Sequence, residues 1–295
     1  MDQTATANDF AGNQATSRKR GGMVAVLRSL IRNPGSAIGL VIVVSLVLVA
    51  IFAPLLAPFE PTQMGAGTRL EPPSTAHPFG TDEFGRDILS RVIYGARLTL
   101  QIGMIAVGIS LSVGTVVGLL SAYAGGWLEG ILMRGVDVLF SFTETLIALA
   151  AVAVLGPSLQ NAMIAVGIAA VPFYARIAHS SALVEKGKPY FEATQAVGAG
   201  HQRVLFFHLL PNIAAPMIIV SSLGVSIAIL AAAALSFLGL GAQPPSPEWG
   251  AMLSAGRDFF SRAPWLMIFP GVAITITVLG FNLLGDGLQE ALDPR

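Results

Sequence analysis

Glu144 stands between Thr143 and Thr145, about two helical turns beyond the pair Arg134 and Asp137. A carboxylate in such apolar company either hydrogen-bonds a neighbouring helix while protonated, or faces a passage where it can meet a cation. Arg134 and Asp137 lie three apart on one helical face, a spacing that predicts an ion pair at a helix end. The four histidines do not converge on a metal: His77 belongs to a loop, His179 ends a helix, and His201 and His208 sit seven apart on a solvent-facing helix. Asp82, Glu83 and Asp87 lack the alternating oxygen spacing of a calcium loop and are expected to pair with Arg86 and Arg91. There is no cysteine for a disulfide or a thiolate site.

Nucleotide sites are equally absent from the pattern. Gly187-Lys188 is followed by Pro189 rather than Ser or Thr, and Ala182 occupies the position of a phosphate loop's first glycine. Gly239-Leu240-Gly241 has no third glycine at dinucleotide-binding spacing. The chain is therefore expected to carry neither catalytic residues nor a cofactor of its own.

The elements that position these residues follow from where charge is missing. The chain is 54% hydrophobic and 12% charged, with 17 basic and 17 acidic residues. Soluble domains are about a quarter charged, so lipid must be part of the solvent here, and the balanced charge argues against a nucleic-acid surface. Residues 33–59, 98–128, 145–175, 204–247 and 263–285 contain no Asp, Glu, Lys or Arg. Each is long enough to cross the roughly 30 Å hydrocarbon layer as a helix. Gly156-Pro157-Ser158 divides one stretch between two helices. The expectation is an all-α polytopic membrane protein with six transmembrane helices, at about 36–58, 98–122, 136–155, 160–178, 213–238 and 265–285. The first reads as an uncleaved signal anchor, because its apolar run is too long and its polar lead too extended for a signal peptide.

Residues 1–33 read as a cytoplasmic N-terminal tail and 34–295 as the membrane domain. Within it lie outer loops 59–97 and 239–264 and an inner loop 179–212. With the N-terminus inside, eleven basic residues face inward (Arg18, Lys19, Arg20, Arg28, Arg32, Arg134, Arg176, Lys186, Lys188, Arg203 and Arg295) against six outside. That asymmetry predicts both termini on the cytoplasmic side. Gly103, Gly108, Gly114 and Gly118 should let helix two approach its neighbours closely, and Pro172 and Pro270 should kink their spans.

The inner loop has a helical pattern of its own. Pro189 opens it at a position where the missing N–H costs nothing, Tyr190–Val197 reads as a short amphipathic helix, and Gly198-Ala199-Gly200 breaks it. A second helix runs through Val204, Leu205 and Phe206 until Pro211-Asn212. Two short helices around a glycine elbow suit either a groove on another protein or an interfacial position on lipid headgroups.

Glu192-Ala193-Thr194, then Gly198, then His208-Leu209-Leu210-Pro211 together resemble the EAA loop of ABC importer permeases. Thr194 replaces the family's second alanine, and His208 replaces an aliphatic residue, as in the peptide-transporter branch. Two more blocks resemble that branch: His77-Pro78-Phe79-Gly80-Thr81-Asp82 through Arg91, and Phe237-Leu238-Gly239-Leu240-Gly241 through Glu248-Trp249-Gly250 to Phe281-Asn282-Leu283-Leu284-Gly285-Asp286. The resemblance covers residues 25–295 and is nearest to the C-type permeases of dipeptide, oligopeptide, glutathione and nickel importers.

The resemblance implies a type I ABC importer permease fold in a bacterial cytoplasmic (inner) membrane. It also implies a heterodimer with a second, homologous permease, two cytoplasmic ATPase subunits that bind ATP and Mg, and an extracytoplasmic substrate-binding protein. Glu192, Ala193, Thr194, Gly198, Ala199 and Gly200 become the ATPase-coupling residues, and Glu144 a candidate for the translocation path, where it would meet a peptide's amino group. Di- and oligopeptides are the implied cargo, with glutathione, nickel chelates or another small solute as alternatives. An ion-coupled secondary transporter would share the hydropathy but should show internal repeats. A membrane-bound enzyme should cluster His, Asp or Ser at one depth. Neither pattern is visible.

Overall fold

The computed structural model describes residues 23–196 and 198–292. Residues 1–22 of the predicted tail 1–33, with Arg18, Lys19 and Arg20, and the basic Arg295 lie outside the described residues. Besides a 3-10 turn at Arg257–Phe259, the described residues form eleven helices: α1 Met23–Arg32, α2 Pro34–Ile51, α3 Ala53–Leu56, α4 Ile88–Ala124, α5 Gly126–Phe140, α6 Glu144–Leu155, α7 Leu159–Lys186, α8 Pro189–Ala196, α9 His201–Phe237, α10 Trp249–Gly256 and α11 Trp265–Leu292. Five of them, α2, α4, α7, α9 and α11, are long and apolar enough to cross a membrane, and α5 with α6 supplies a sixth span bent by 90°.

That bend corrects the straight span expected over 136–155. The helix stops at Phe140 because Ser141 Oγ donates to the Val138 carbonyl at 2.6 Å, and Thr143 adopts an extended backbone before α6 begins. Hydroxyl side chains compete for backbone partners in this way, and hydrophobic continuity does not reveal it. Gly156, at φ +87°, ends α6. Ser158 then starts α7 by accepting from Asn161 N at 3.1 Å, so the predicted division at 156–158 is observed.

Several helices outrun the bilayer. The amphipathic stretch 87–94, expected in the outer loop, is the first part of α4, capped by Asp87, whose Oδ2 accepts from Ser90 N at 2.8 Å. At 37 residues α4 is about 55 Å long, well beyond the hydrocarbon layer. Likewise α7 continues past 178 to Lys186, and α9 starts at His201 rather than 213.

Small residues decide which helices touch. α4 packs along α7, α2 against α11, and α9 against α4, α7 and α11. A Cβ added at Gly114 would lie 2.5 Å from Tyr174 Cβ, and one at Gly118 2.4 Å from the Ala175 carbonyl oxygen. Such backbone proximity is how helices associate without a hydrophobic driving force between them. Gly103 serves α9 in the same manner, meeting Val225, whereas nothing lies within 4 Å of a Cβ at Gly108. Gly108 is thus not the packing device the sequence suggested.

At one end of the bundle, residues 57–87 and 239–264 fold into a cap. Asp82 accepts from Phe84 N at 2.8 Å, Arg86 N at 2.9 Å and Arg86 Nε at 2.5 Å, with Arg91 Nε 3.8 Å away. Arg91 also donates to Pro61 O at 2.9 Å and reaches Pro245 O and Ser246 O at 3.3 Å, tying both segments to α4. Trp249 donates to Val92 O, and Trp265 to Thr81 O. Glu248 caps α10 through Gly250 N and Ala251 N, and burial pushes its carboxyl above the usual range despite those bonds. The expected pairing of Asp87 with an arginine is corrected: as the helix cap it binds His77 Nδ1 at 2.9 Å instead. Asp82→Ala should remove the carboxylate between two buried guanidinium groups, leaving Arg86 with Glu83 at 3.6 Å and Arg91 with its carbonyl acceptors, and destabilise the cap by about 1–3 kcal/mol. Limited proteolysis should then cut within 57–87 while α4–α9 remain protected; unchanged protease resistance would contradict the assignment.

Candidate functional site

At the opposite end of the bundle from the cap, residues 187–200 link α7 to α9. The short helix α8 is anchored from beneath. Phe191 is buried, and Tyr190 donates to Glu185 Oε2 at 2.7 Å while accepting from Asn212 Nδ2 at 3.3 Å. Partial burial and the neighbouring carboxylate push the Tyr190 phenol up to about 12, so it remains a donor throughout the physiological range. Lys188 pairs with Glu185, Lys186 Nζ donates to the Ala122 carbonyl at 2.5 Å, and Tyr123 hydrogen-bonds His201. Three helices, α4, α7 and α9, therefore hold the base of the loop.

Its tip is free. Glu192, Ala193, Gly198 and Gly200 are exposed, and Thr194 and Ala199 are half-buried. Thr194 Oγ1 turns inward to the Tyr190 carbonyl at 2.8 Å, and Ala199 N donates to the Thr194 carbonyl at 3.3 Å. That last bond closes the elbow across Gly198, whose φ of +74° is readily adopted only by glycine. All six expected coupling residues thus lie on one projection, with Glu192 and Ala193 facing outward.

The second half of the projection differs from expectation. The helix does not end at Pro211: it continues as α9, and Val204–Leu209 widens into a π-helical turn. The wide turn falls just before Pro211, which has no N–H to continue the ordinary ladder. It leaves Phe206 and Phe207 on the surface, Phe207 at 75% exposure. Sequence alone offered only Pro211 as a signal for this turn.

Nearby, the ion pair expected between Arg134 and Asp137 is not formed. Asp137 pairs across helices with Arg176 of α7, whose guanidinium lies 4.9 Å over the Phe140 ring. The cross-helix partner wins because a guanidinium gains both a carboxylate and an aromatic face there. His179 of α7 similarly meets Glu129 of α5 at 2.8 Å.

Of the hollows among the described residues, two lie against both α4 and α9. One is an apolar groove of about 590 Å³ between α4 and α9, lined by Leu111, Thr115, Leu119, Phe206, Met217 and Ser221, with Gly108 at its edge. The other, of about 30 Å³, lies where α4, α6, α7 and α9 converge and is lined by Ser110, Glu144, Phe173, Tyr174 and Gly224 among others. Glu144 is therefore not deep within a continuous span but is the first residue of α6, half-buried beside that hollow. Tyr174 is 2% exposed and its hydroxyl makes no hydrogen bond of normal length, an omission that costs on the order of 1–3 kcal/mol. Nothing in the sequence distinguished this tyrosine from other aromatic residues of an apolar helix.

Residues 114–295 match the family described as binding-protein-dependent transport system inner membrane component. Residues 23–73 match the N-terminal TM domain of oligopeptide transport permease C. The chain is 48% identical to the dipeptide transport system permease protein DppC of Alkalihalophilus pseudofirmus, over 91% of this chain and 88% of that protein. It is 47% identical to DppC of Escherichia coli over 90% of each chain. The glutathione transport system permease protein GsiD of Pectobacterium atrosepticum is 44% identical over 86% of this chain and 84% of its own length. Among solved structures, an inward-facing form of the MetNI methionine ABC transporter matches with a TM-score of 0.59 at 19% identity. That match covers 70% of this chain and 98% of the other, and it shows a shared fold.

Proposed function

The chain belongs to the binding-protein-dependent transport system inner membrane components and is the permease subunit of an ABC importer, and from that premise we propose that its cargo is di- and oligopeptides. The relatives at 47–48% identity are dipeptide permeases, which supports this cargo ahead of the alternatives. Glutathione, itself a small peptide, is a second reading, favoured by the likeness to GsiD.

The observation that carries the mechanism is the anchored projection at 189–200. Its tip presents Glu192 and Ala193 to a partner, while its base is bonded to α4, α7 and α9. A body that pushes on the tip therefore moves three membrane helices together. That body is one of two cytoplasmic ATPase subunits, which bind ATP and Mg and close on each other during the cycle. Residues 187–200 then lie in the cytoplasm together with both termini, in keeping with Arg28, Arg32, Lys186, Lys188 and Arg203 at that end. The cap built from 57–87 and 239–264 faces the extracytoplasmic binding protein. A homologous permease covers the apolar groove, so that the groove becomes this chain's wall of a shared passage. Its volume is within the range of sites for small ligands.

Reconstitution tests this reading. Proteoliposomes holding the chain with its partner permease, ATPases and binding protein should take up alanylalanine only with ATP inside the cytoplasmic face, and glutathione more slowly. Uptake by the purified chain alone under an ion gradient would instead support a secondary transporter.

A further inference from the structure

We infer that Glu144, Tyr174 and Ser110 form a binding site for a primary ammonium group, at which the amino end of the cargo rests midway through the membrane. This inference rests on the peptide reading above.

Three acceptors of different kinds line one small hollow: a carboxylate from α6, a phenol oxygen from α7 and a hydroxyl oxygen from α4. An ammonium has three N–H donors and no acceptor, so it matches that set in number and in charge. None of the three is used up. Glu144 has no hydrogen bond or ion pair among the described residues. The Tyr174 hydroxyl is buried and makes no hydrogen bond of normal length, with the hydroxyls of Ser110 and Ser221 as its polar neighbours. Ser110 spends its proton on the carbonyls of Ala106 and Val107, at 3.0 and 3.2 Å, which leaves its oxygen free to accept. The phenol oxygen is aimed at Gly224, where an added Cβ would come within 2.1 Å of it. Glycine at that position thus keeps the hydroxyl in place and the hollow open.

Size selects the ligand. About 30 Å³ accommodates one water-sized group, which suits an ammonium head and excludes a guanidinium or a whole peptide. The remainder of the cargo must lie outside, and the apolar groove is adjacent: Ser221 lines the groove and Gly224, one turn along the same face of α9, lines the hollow. The Phe173 ring at the rim offers a cation a further favourable surface. Depth fits as well. Tyr174 lies near the middle of Leu159–Lys186 and Gly224 near the middle of Leu210–Phe237, so the site is remote from the ends of both helices. The 90° break between α5 and α6 brings the carboxylate there.

The complete reconstituted transporter tests the assignment with alanylalanine and its N-acetyl analogue as probes. Glu144→Gln should lower alanylalanine uptake about ten-fold or more, with Glu144→Asp restoring part of it. The Glu144→Gln permease should match wild type in melting temperature in detergent and in assembly with its partner permease and ATPases, which a misfolded permease would not. Dicyclohexylcarbodiimide should label Glu144, and alanylalanine should protect it while the acetylated analogue does not; Tyr174→Phe should weaken that protection. Unchanged uptake by Glu144→Gln, or equal protection by both probes, overturns the site. A wild-type complex that takes up no dipeptide defeats the peptide reading instead. Protection of Glu144 by methylammonium alone would then still uphold the ammonium site, and its failure would remove both.

Discussion

Gly198→Pro is expected to reduce ATP-driven uptake about a hundred-fold while the chain still inserts and folds in the membrane. Proline fixes φ near −65°, whereas the elbow holds Gly198 at +74°, so the reversal of direction between α8 and α9 cannot be kept. The hydrogen bond from Ala199 N to the Thr194 carbonyl, which closes the elbow, goes with it. Nothing lies within 4 Å of a Cβ at this position, so crowding contributes no part of the effect. Gly198→Ala therefore isolates the backbone cost, on the order of 1 kcal/mol, and should leave most uptake intact. Because the spans themselves do not depend on the elbow, membrane yield and melting in detergent should match wild type. Substrate-stimulated ATP hydrolysis in the assembled complex should fall with uptake. Normal uptake by the proline variant would remove the elbow from the coupling path.

The second large effect is on folding. Gly118→Leu places a side chain where a Cβ alone would meet the Ala175 carbonyl oxygen at 2.4 Å and the Ala178 methyl at 2.7 Å. Both obstacles belong to the facing helix rather than to a flexible side-chain end, so α4 and α7 must move apart. Overpacking of that kind costs about 1–3 kcal/mol, and separation of the two helices forfeits neighbouring contacts as well. Thermal unfolding in detergent should drop by on the order of 10 °C. Gly108→Leu, on the same helix but facing open space, should leave the melting temperature unchanged. Equal loss in both variants would show that helix propensity or insertion, rather than close approach, governs the outcome.

The spans were legible because lipid imposes a simple rule: charge disappears for most of a crossing, and the five unbroken crossings overlap such gaps, whereas the bent pair α5 and α6 carries Glu129, Arg134, Asp137 and Glu144. The glycine elbow was legible because Pro189 and Gly198 punctuate a helical pattern in ways that backbone sterics dictate. What escaped notice depends on partners distant in sequence. Asp137 has Arg134 one turn away, yet it meets Arg176 on another helix, a choice made by how α5 lies against α7. The break at 141–143 turns on a hydroxyl competing for a carbonyl, a local event hidden within an unbroken apolar run. The π-helical turn before Pro211 is a change of hydrogen-bond register, which leaves no trace in hydropathy. Asp87 was read among the acids of a loop, whereas the cap geometry makes it a helix cap bound to His77. Tyr174 shows the limit most plainly: its neighbours in sequence are apolar, and its significance arises only from Ser110, Glu144 and Gly224, contributed by three other helices.

Cross-linking offers the most direct test that the projection at 189–200 is grasped by an ATPase from the cytoplasm. The chain has no cysteine, so Ala193→Cys provides a single reactive thiol at the exposed tip. In the assembled transporter, a short bis-maleimide is predicted to join this thiol to an ATPase subunit carrying a cysteine in its cleft, and an impermeant maleimide added outside intact cells should leave it unmodified. Labelling from outside, or a thiol that never cross-links to the ATPase under any nucleotide condition, would contradict the account.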